Sequence, residues 1–100
     1  MSDQPDLRQV LAGLSRLART RPEQALQQAE TLLERAPALV PVLCLAGRLA
    51  RRTGDLEGAR RHLEAALRND PEASPALAEM GTLAATQGDY DLAARCFTRY

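Results

Sequence analysis

The side chains best suited to chemistry are few and scattered along this chain of 100 residues. His62 is the one histidine, and it stands beside Arg61 on a helix face where we expect it to be exposed. No carboxylate is spaced to form an obvious acid–base pair with it. The serines Ser2, Ser15 and Ser74 lie in no nucleophile motif. These residue types therefore favour a chain without catalytic residues.

Cys44 and Cys96 are the two cysteines, and they are far apart in the sequence. Their spacing fits neither a metal site nor a disulfide framework. A free cysteine on an apolar helix packs more often than it reacts, and the glycines occur singly rather than in a phosphate-binding loop. We therefore predict no metal and no cofactor. Two reduced cysteines favour a cytoplasmic protein.

The arginines offer another kind of chemistry, the recognition of anions. Thirteen basic residues, all of them arginine, balance thirteen acidic ones, so the net charge is zero. Acidic residues alternate with the pairs at 51–52 and 60–61, and no aromatic residue accompanies them, which is typical of a solvated helix surface. Residues 1–10 do not resemble a secretion signal, and no apolar run is long enough to span a bilayer. We predict neither nucleic acid nor membrane as a partner. The absence of lysine and isoleucine favours a GC-rich, bacterial genome.

The elements that must position these side chains follow a period of 34 residues. The period is kept by glycine at Gly13, Gly47 and Gly81, by alanine at Ala25, Ala59 and Ala93, and by proline at Pro37 and Pro71. Several residue types sharing one period indicate an internal repeat. We predict a short N-terminal tail over residues 1–5, followed by repeats over 6–39, 40–73 and 74–100, the last of them incomplete.

Each repeat contains the signals of two helices and a turn. Leucine and alanine recur at helical spacing and β-branched residues are scarce, so the composition predicts an all-α fold. In the middle repeat, Gly54 is suited to a positive φ at the turn and Asp55 to an N-cap. The first repeat has instead a predicted capping box that begins at Thr20. In the third, we expect Ser74 to cap the helix before Pro75.

This pattern resembles the tetratricopeptide repeat, and the likeness covers the chain from Asp6. The segments GDLEGARRHLEAALRNDP and GDYDLAARCF carry it most clearly. The resemblance implies antiparallel helix hairpins stacked in tandem as a right-handed superhelix, an α-solenoid. It also implies that the small residues let the two helices of a hairpin approach closely. The first repeat departs most from the family, because Ala29 stands where the later repeats have Leu63 and Phe97.

The resemblance further implies a scaffold that binds a peptide or helix of a partner protein on a concave face, formed by the first helix of each hairpin. We expect this face to be apolar at its N-terminal end, basic in the middle, and small or polar at its C-terminal end. An acidic group of the peptide would meet Arg48, Arg51 or Arg52. The donors with which chaperone adaptors of this family clamp a C-terminal carboxylate are absent. The predicted groove consists of Leu7, Val10, Leu14, Leu17, Cys44, Arg48, Arg51, Arg52, Ala78, Thr82 and Thr86.

Two further functions stay open at this point. The last repeat ends without a polar capping helix, so the chain could form a homo-oligomer through its C-terminal helix. Bacterial proteins also exist in which similar repeats precede a sulfotransferase or another catalytic domain, so the chain could be the N-terminal module of a larger enzyme. The residues expected to be partly uncovered at that end are Leu83, Leu92, Cys96, Phe97 and Tyr100.

Overall fold

Six α-helices make up the computed structural model, which describes residues 6–99. Within that range the chain forms no strand. Consecutive helices pair into three hairpins, one for each predicted repeat, so the predicted all-α repeat fold is confirmed. The helices are α1 (Leu7–Thr20), α2 (Pro22–Arg35), α3 (Val40–Arg52), α4 (Leu56–Asn69), α5 (Ser74–Thr86) and α6 (Tyr90–Arg99).

The turns inside the second and third hairpins are built alike. Gly54 and Gly88 have φ angles of +93° and +80°, which glycine adopts without strain. The carboxylate of Asp55 accepts a hydrogen bond of 2.9 Å from the amide of Gly58, and Asp89 accepts one of 3.2 Å from Leu92. These bonds satisfy amide groups at the start of α4 and α6. The predicted Gly-Asp turn is confirmed.

The two other predicted caps are wrong. Helix α1 continues through Thr20, and the residue that precedes α2 is Arg21, which makes no side-chain cap bond. Ser74 is the first residue of α5 rather than its cap, and Ala73 precedes that helix. A proline stands at the start of both helices, Pro22 in α2 and Pro75 in α5. Because proline has no N–H, it leaves one fewer amide group for a cap to satisfy.

Close approach inside the later hairpins depends on glycine. A Cβ added to Gly47 would lie 2.6 Å from Cγ and Cδ2 of Leu63, which is completely buried. A Cβ on Gly81 would lie 2.7 Å from the ring of Phe97. In both hairpins a large side chain of the second helix covers a glycine of the first. The glycines are therefore needed for packing, as the resemblance implied.

The first hairpin lacks this arrangement, and the close contact expected at Gly13 is wrong. An added Cβ on Gly13 would meet no heavy atom within 4 Å, apart from its immediate surroundings in α1. At the position of Leu63 and Phe97 the first repeat has only Ala29. A cavity of about 460 Å³ opens between α1 and α2 beside Gly13. The first hairpin is therefore the least tightly packed of the three.

The helices form two layers that differ in packing. In the first-helix layer, α1 contacts α3 and α3 contacts α5. In the second-helix layer, α2, α4 and α6 do not approach one another as closely over the described residues. Each repeat is joined to the next mainly through α2 against α3 and α4 against α5. The result is an elongated stack of 48 × 26 × 19 Å.

The C-terminal end is better covered than the sequence predicted. Leu83 and Cys96 are buried, because both belong to the apolar cluster that runs through the stack. Leu92 is partly buried and Phe97 is 49% exposed, as expected. Tyr100 lies outside the described residues. Tyr90, which the sequence analysis did not single out, is 72% exposed at the start of α6. None of the described helices has the length and apolar character that crossing a membrane requires.

Candidate functional site

The predicted groove lies along the first-helix layer. Its four residues on α1 precede four on α3 and three on α5. Arg48, Arg52, Thr82 and Thr86 are exposed. The residues that are partly exposed are Leu7, Val10, Leu17, Arg51 and Ala78.

Two residues of the predicted groove are buried instead of lining a surface. Leu14 and Cys44 both pack inside the main apolar cluster, so neither offers its side chain to a ligand. Burial raises the pKa of the Cys44 thiol to about 11, and the negative charges of Asp70 and Glu79 act in the same direction. The thiol therefore stays protonated at neutral pH. A protonated, buried thiol is a packing group rather than a nucleophile.

A carboxylate inside the molecule already meets part of the basic centre. The Nε of Arg51 lies 3.1 Å from one carboxylate oxygen of Glu79 on α5, and the Nε of Arg48 lies 3.9 Å from the other. The sequence predicted that an acidic group of the ligand would meet these arginines, but Glu79 of the chain itself occupies Arg51. Arg51 is thus held by the neighbouring repeat. Arg48 and Arg52 remain the exposed guanidinium groups of the predicted groove.

His62 has a partner that the sequence analysis did not find. Its Nε2 lies 3.0 Å from Oε2 of Glu30, and its side chain is only 19% exposed. The expectation of an exposed histidine without a carboxylate partner is therefore wrong. The pair joins α2 to α4, two helices whose backbones stay apart. Its position between repeats favours a role in holding the second-helix layer together.

The described residues contain no group of three or more histidine, cysteine or acidic side chains that could hold a metal ion. Along the first-helix layer, apolar, basic and hydroxyl side chains succeed one another from α1 to α5. Such a surface can offer apolar contacts, charge-assisted hydrogen bonds and neutral hydrogen bonds to another polypeptide.

A sequence model described as "Tetratricopeptide repeat" matches residues 44–100. The chain belongs to the tetratricopeptide repeat family. No curated protein matches it. The match begins inside α3 and leaves the first hairpin outside, which is where Gly13 has no large side chain over it. Tetratricopeptide repeat domains are typically non-catalytic and generally bind proteins or peptides. The family thus makes this fold a protein-interaction scaffold in general terms.

Proposed function

We propose that this tetratricopeptide repeat chain binds a peptide or helix of a partner protein along its first-helix layer. The unequal packing of the two layers supports this choice of face. Over residues 6–99 the first helices touch their neighbours and the second helices do not. Closer packing on one layer favours curvature toward that layer, so we take the first-helix layer as the concave one.

The exposed arginines set the chemistry of the bound peptide. Arg48 and Arg52 are four residues apart on α3, so they share one face of that helix. Glu79 engages Arg51 and lies at the edge of bonding distance from Arg48, which leaves Arg52 without a carboxylate among residues 6–99. A peptide carboxylate would replace water around these two groups and bind through charge-assisted hydrogen bonds.

The ends of the same surface supply the remaining contacts. Leu7, Val10 and Leu17 on α1 are partly exposed and apolar, whereas Thr82 and Thr86 on α5 are exposed hydroxyl side chains. The hydroxyls of both threonines already donate to backbone carbonyls of α5, so they act toward a ligand as acceptors. The best ligand therefore has an apolar segment, a central acidic residue and a segment that donates hydrogen bonds.

The test is selection of peptides from a random display library on the purified chain. We expect the selected peptides to share an aspartate or glutamate beside apolar residues. They should lose most of their affinity for Arg48→Glu/Arg52→Glu, because a like charge then faces the acidic residue. The control variant Arg35→Glu/Arg61→Glu changes the net charge equally, on exposed residues of the second-helix layer. Equal binding by the two variants, or failure to select any peptide, would refute the proposal.

Self-association is a second candidate, favoured by the exposed aromatic side chains of Tyr90 and Phe97 on α6. Burial of Leu83 and Cys96 leaves less apolar surface for it than the sequence suggested. Sedimentation at high concentration separates the two functions, since a strict monomer contradicts self-association. We place either function in the cytoplasm, because the two free thiols fit a reducing compartment.

A further inference from the structure

A second groove lies between α4 and α6, on the layer opposite the predicted groove. It has a volume of about 780 Å³, and most of its exposed lining is apolar. Leu77 and Met80 of α5 lie at its base, since α4 and α6 do not approach each other closely. Leu67 of α4 and Leu92 of α6 contribute apolar side chains from the two sides. We call it the α4/α6 groove.

Arginines border this apolar lining on both helices. Arg60 and Arg68 are eight residues apart on α4, and Arg95 and Arg99 are four apart on α6, so each pair follows one face of its helix. Glu64 is the one carboxylate among the lining residues that the structure describes. Four guanidinium groups and one carboxylate give the groove a charge of +3, in a chain whose net charge is zero.

The charges of these arginines are not neutralised by the neighbouring side chains of residues 6–99. Arg60 donates to the amide oxygen of Gln87 at 3.2 Å, and Arg99 donates to the backbone oxygen of Pro71 at 3.1 Å. Both acceptors are uncharged. The ion pairs of the described chain all lie elsewhere, at Glu79 and at His62. A ligand that brings carboxylates therefore meets available positive charge.

The preceding repeat shows why the groove is open. Between α2 and α4, the Glu30–His62 pair spans the gap in the second-helix layer. The residues 34 positions later are Glu64 and Cys96. The side chain of Cys96 is buried and shorter than that of His62, so it does not form the corresponding contact with Glu64. A thiol also carries no positive charge that could pair with the Glu64 carboxylate. The gap between α4 and α6 consequently stays available to another molecule.

We propose that the α4/α6 groove binds an acidic amphipathic helix of a partner protein. Leucine-like side chains on one face of that helix would pack on Leu67 and Leu92, which are partly exposed on the two sides of the groove. Carboxylates on its two flanks would reach the arginines of α4 and α6. A helix laid into a groove between two others satisfies its own backbone hydrogen bonds, so the groove needs to provide only apolar and charged contacts. This interaction is independent of peptide binding on the first-helix layer.

The probe for the test is a fluorescein-labelled synthetic helix of about four turns, with leucine on one face and glutamate on both flanks. A matched probe has lysine in place of every glutamate. Binding is followed by fluorescence anisotropy, and the bound surface is mapped by amide chemical shifts. The variants are Arg68→Glu/Arg95→Glu in the groove, Arg48→Glu/Arg52→Glu on the other layer, and Arg21→Glu/Arg35→Glu on exposed residues of the first repeat, outside both. Circular dichroism and urea midpoints confirm that each variant is folded.

We expect the acidic probe to bind, to shift amides of α4 and α6, and to lose about tenfold in affinity in Arg68→Glu/Arg95→Glu because its carboxylates then face like charge. Arg21→Glu/Arg35→Glu should bind it within about twofold, because both residues belong to the first repeat, away from the groove between α4 and α6, and salt screens distant surface charges. Arg48→Glu/Arg52→Glu should still show the amide shifts of α4 and α6, whatever the probe does on the first-helix layer. The proposal is overturned if the acidic probe does not bind, if the lysine probe binds equally well, or if Arg68→Glu/Arg95→Glu retains full affinity. Shifts confined to α1, α3 and α5 would overturn it as well. Peptide binding on the first-helix layer is tested separately, by the peptides selected from the display library and by their loss of affinity for Arg48→Glu/Arg52→Glu.

Discussion

The first and middle hairpins carry a glycine at the same repeat position, but only the glycine of the middle hairpin is required for packing. In the middle hairpin Leu63 lies directly on Gly47, with no room for a methyl group. In the first hairpin Ala29 replaces that leucine, and Gly13 faces open space. A shared repeat position therefore does not mean a shared constraint. The side chain that meets the glycine across the hairpin decides whether the glycine is required.

The largest expected effect comes from removing the side chain that defines the tight hairpin. Leu63→Ala should lower the free energy of unfolding by about 2–5 kcal/mol, because Leu63 is completely buried and its loss leaves a cavity over Gly47. Urea unfolding followed by circular dichroism measures the change. Leu32→Ala in the first hairpin is the control, and it should cost less because Leu32 is only partly buried and borders an existing cavity. An unchanged midpoint for Leu63→Ala would contradict the packing described for the middle hairpin.

A smaller effect comes from the thiol buried in the middle hairpin. The pKa of Cys44 is raised from its ordinary value of 9.0 to about 11, whereas the corresponding residue of the first hairpin, Val10, cannot ionise. Below pH 9 the thiol is protonated in both the folded and the unfolded chain, so its contribution to stability is complete. Above pH 9 the unfolded chain ionises first, and the contribution is lost as the pH rises toward 11, by about 1 kcal/mol at pH 10.

The measurement for Cys44 is the urea midpoint at pH 8 and pH 10, with Cys44→Ala as the reference. The variant should lose less stability than the unaltered chain over that interval, since its side chain does not ionise. Equal losses in the two proteins would mean that Cys44 is not held protonated by its surroundings.

The smallest effect concerns the contact that ties the loose hairpin to the tight one. Glu30 belongs to the first repeat and His62 to the second, and their side chains meet at 3.0 Å. A double-mutant cycle with Glu30→Ala and His62→Ala should give a coupling free energy of about 0.5 kcal/mol, since Glu30 is partly exposed and water competes with the bond. A coupling indistinguishable from zero would remove this pair as a link between repeats.

The sequence predicts the features that depend on local geometry and on the repeat. The positive φ of Gly54, the cap at Asp55 and the burial of Leu63 all follow from residue type and spacing. The contacts between Arg51 and Glu79 and between Glu30 and His62 do not follow from it. Their separations are 28 and 32 residues rather than the repeat length, because the stagger of one helix against the next decides which side chains meet.

Burial on the first-helix layer was predictable only in part. Carrying the family's binding positions onto the chain placed Leu14 and Cys44 on an exposed surface, whereas both are in the core. The family pattern assigns positions to a face but does not say how far each helix is rotated against its neighbour. A small rotation of a helix about its own axis moves a residue at the border of the exposed face into the core. Leu14 on α1 and Cys44 on α3 are residues of this kind.

The most direct test of the hairpin comparison is a pair of identical substitutions, Gly13→Ala and Gly47→Ala, measured by urea unfolding under the same conditions. Gly13→Ala should raise the free energy of unfolding by about 0.5–1 kcal/mol, because alanine favours the helix and the added methyl group meets nothing. Gly47→Ala should lower it by about 1–2 kcal/mol, because the methyl group collides with Leu63 and overpacking outweighs the gain in helix propensity. Opposite signs are the predicted result, and a change of the same sign at both positions would contradict it.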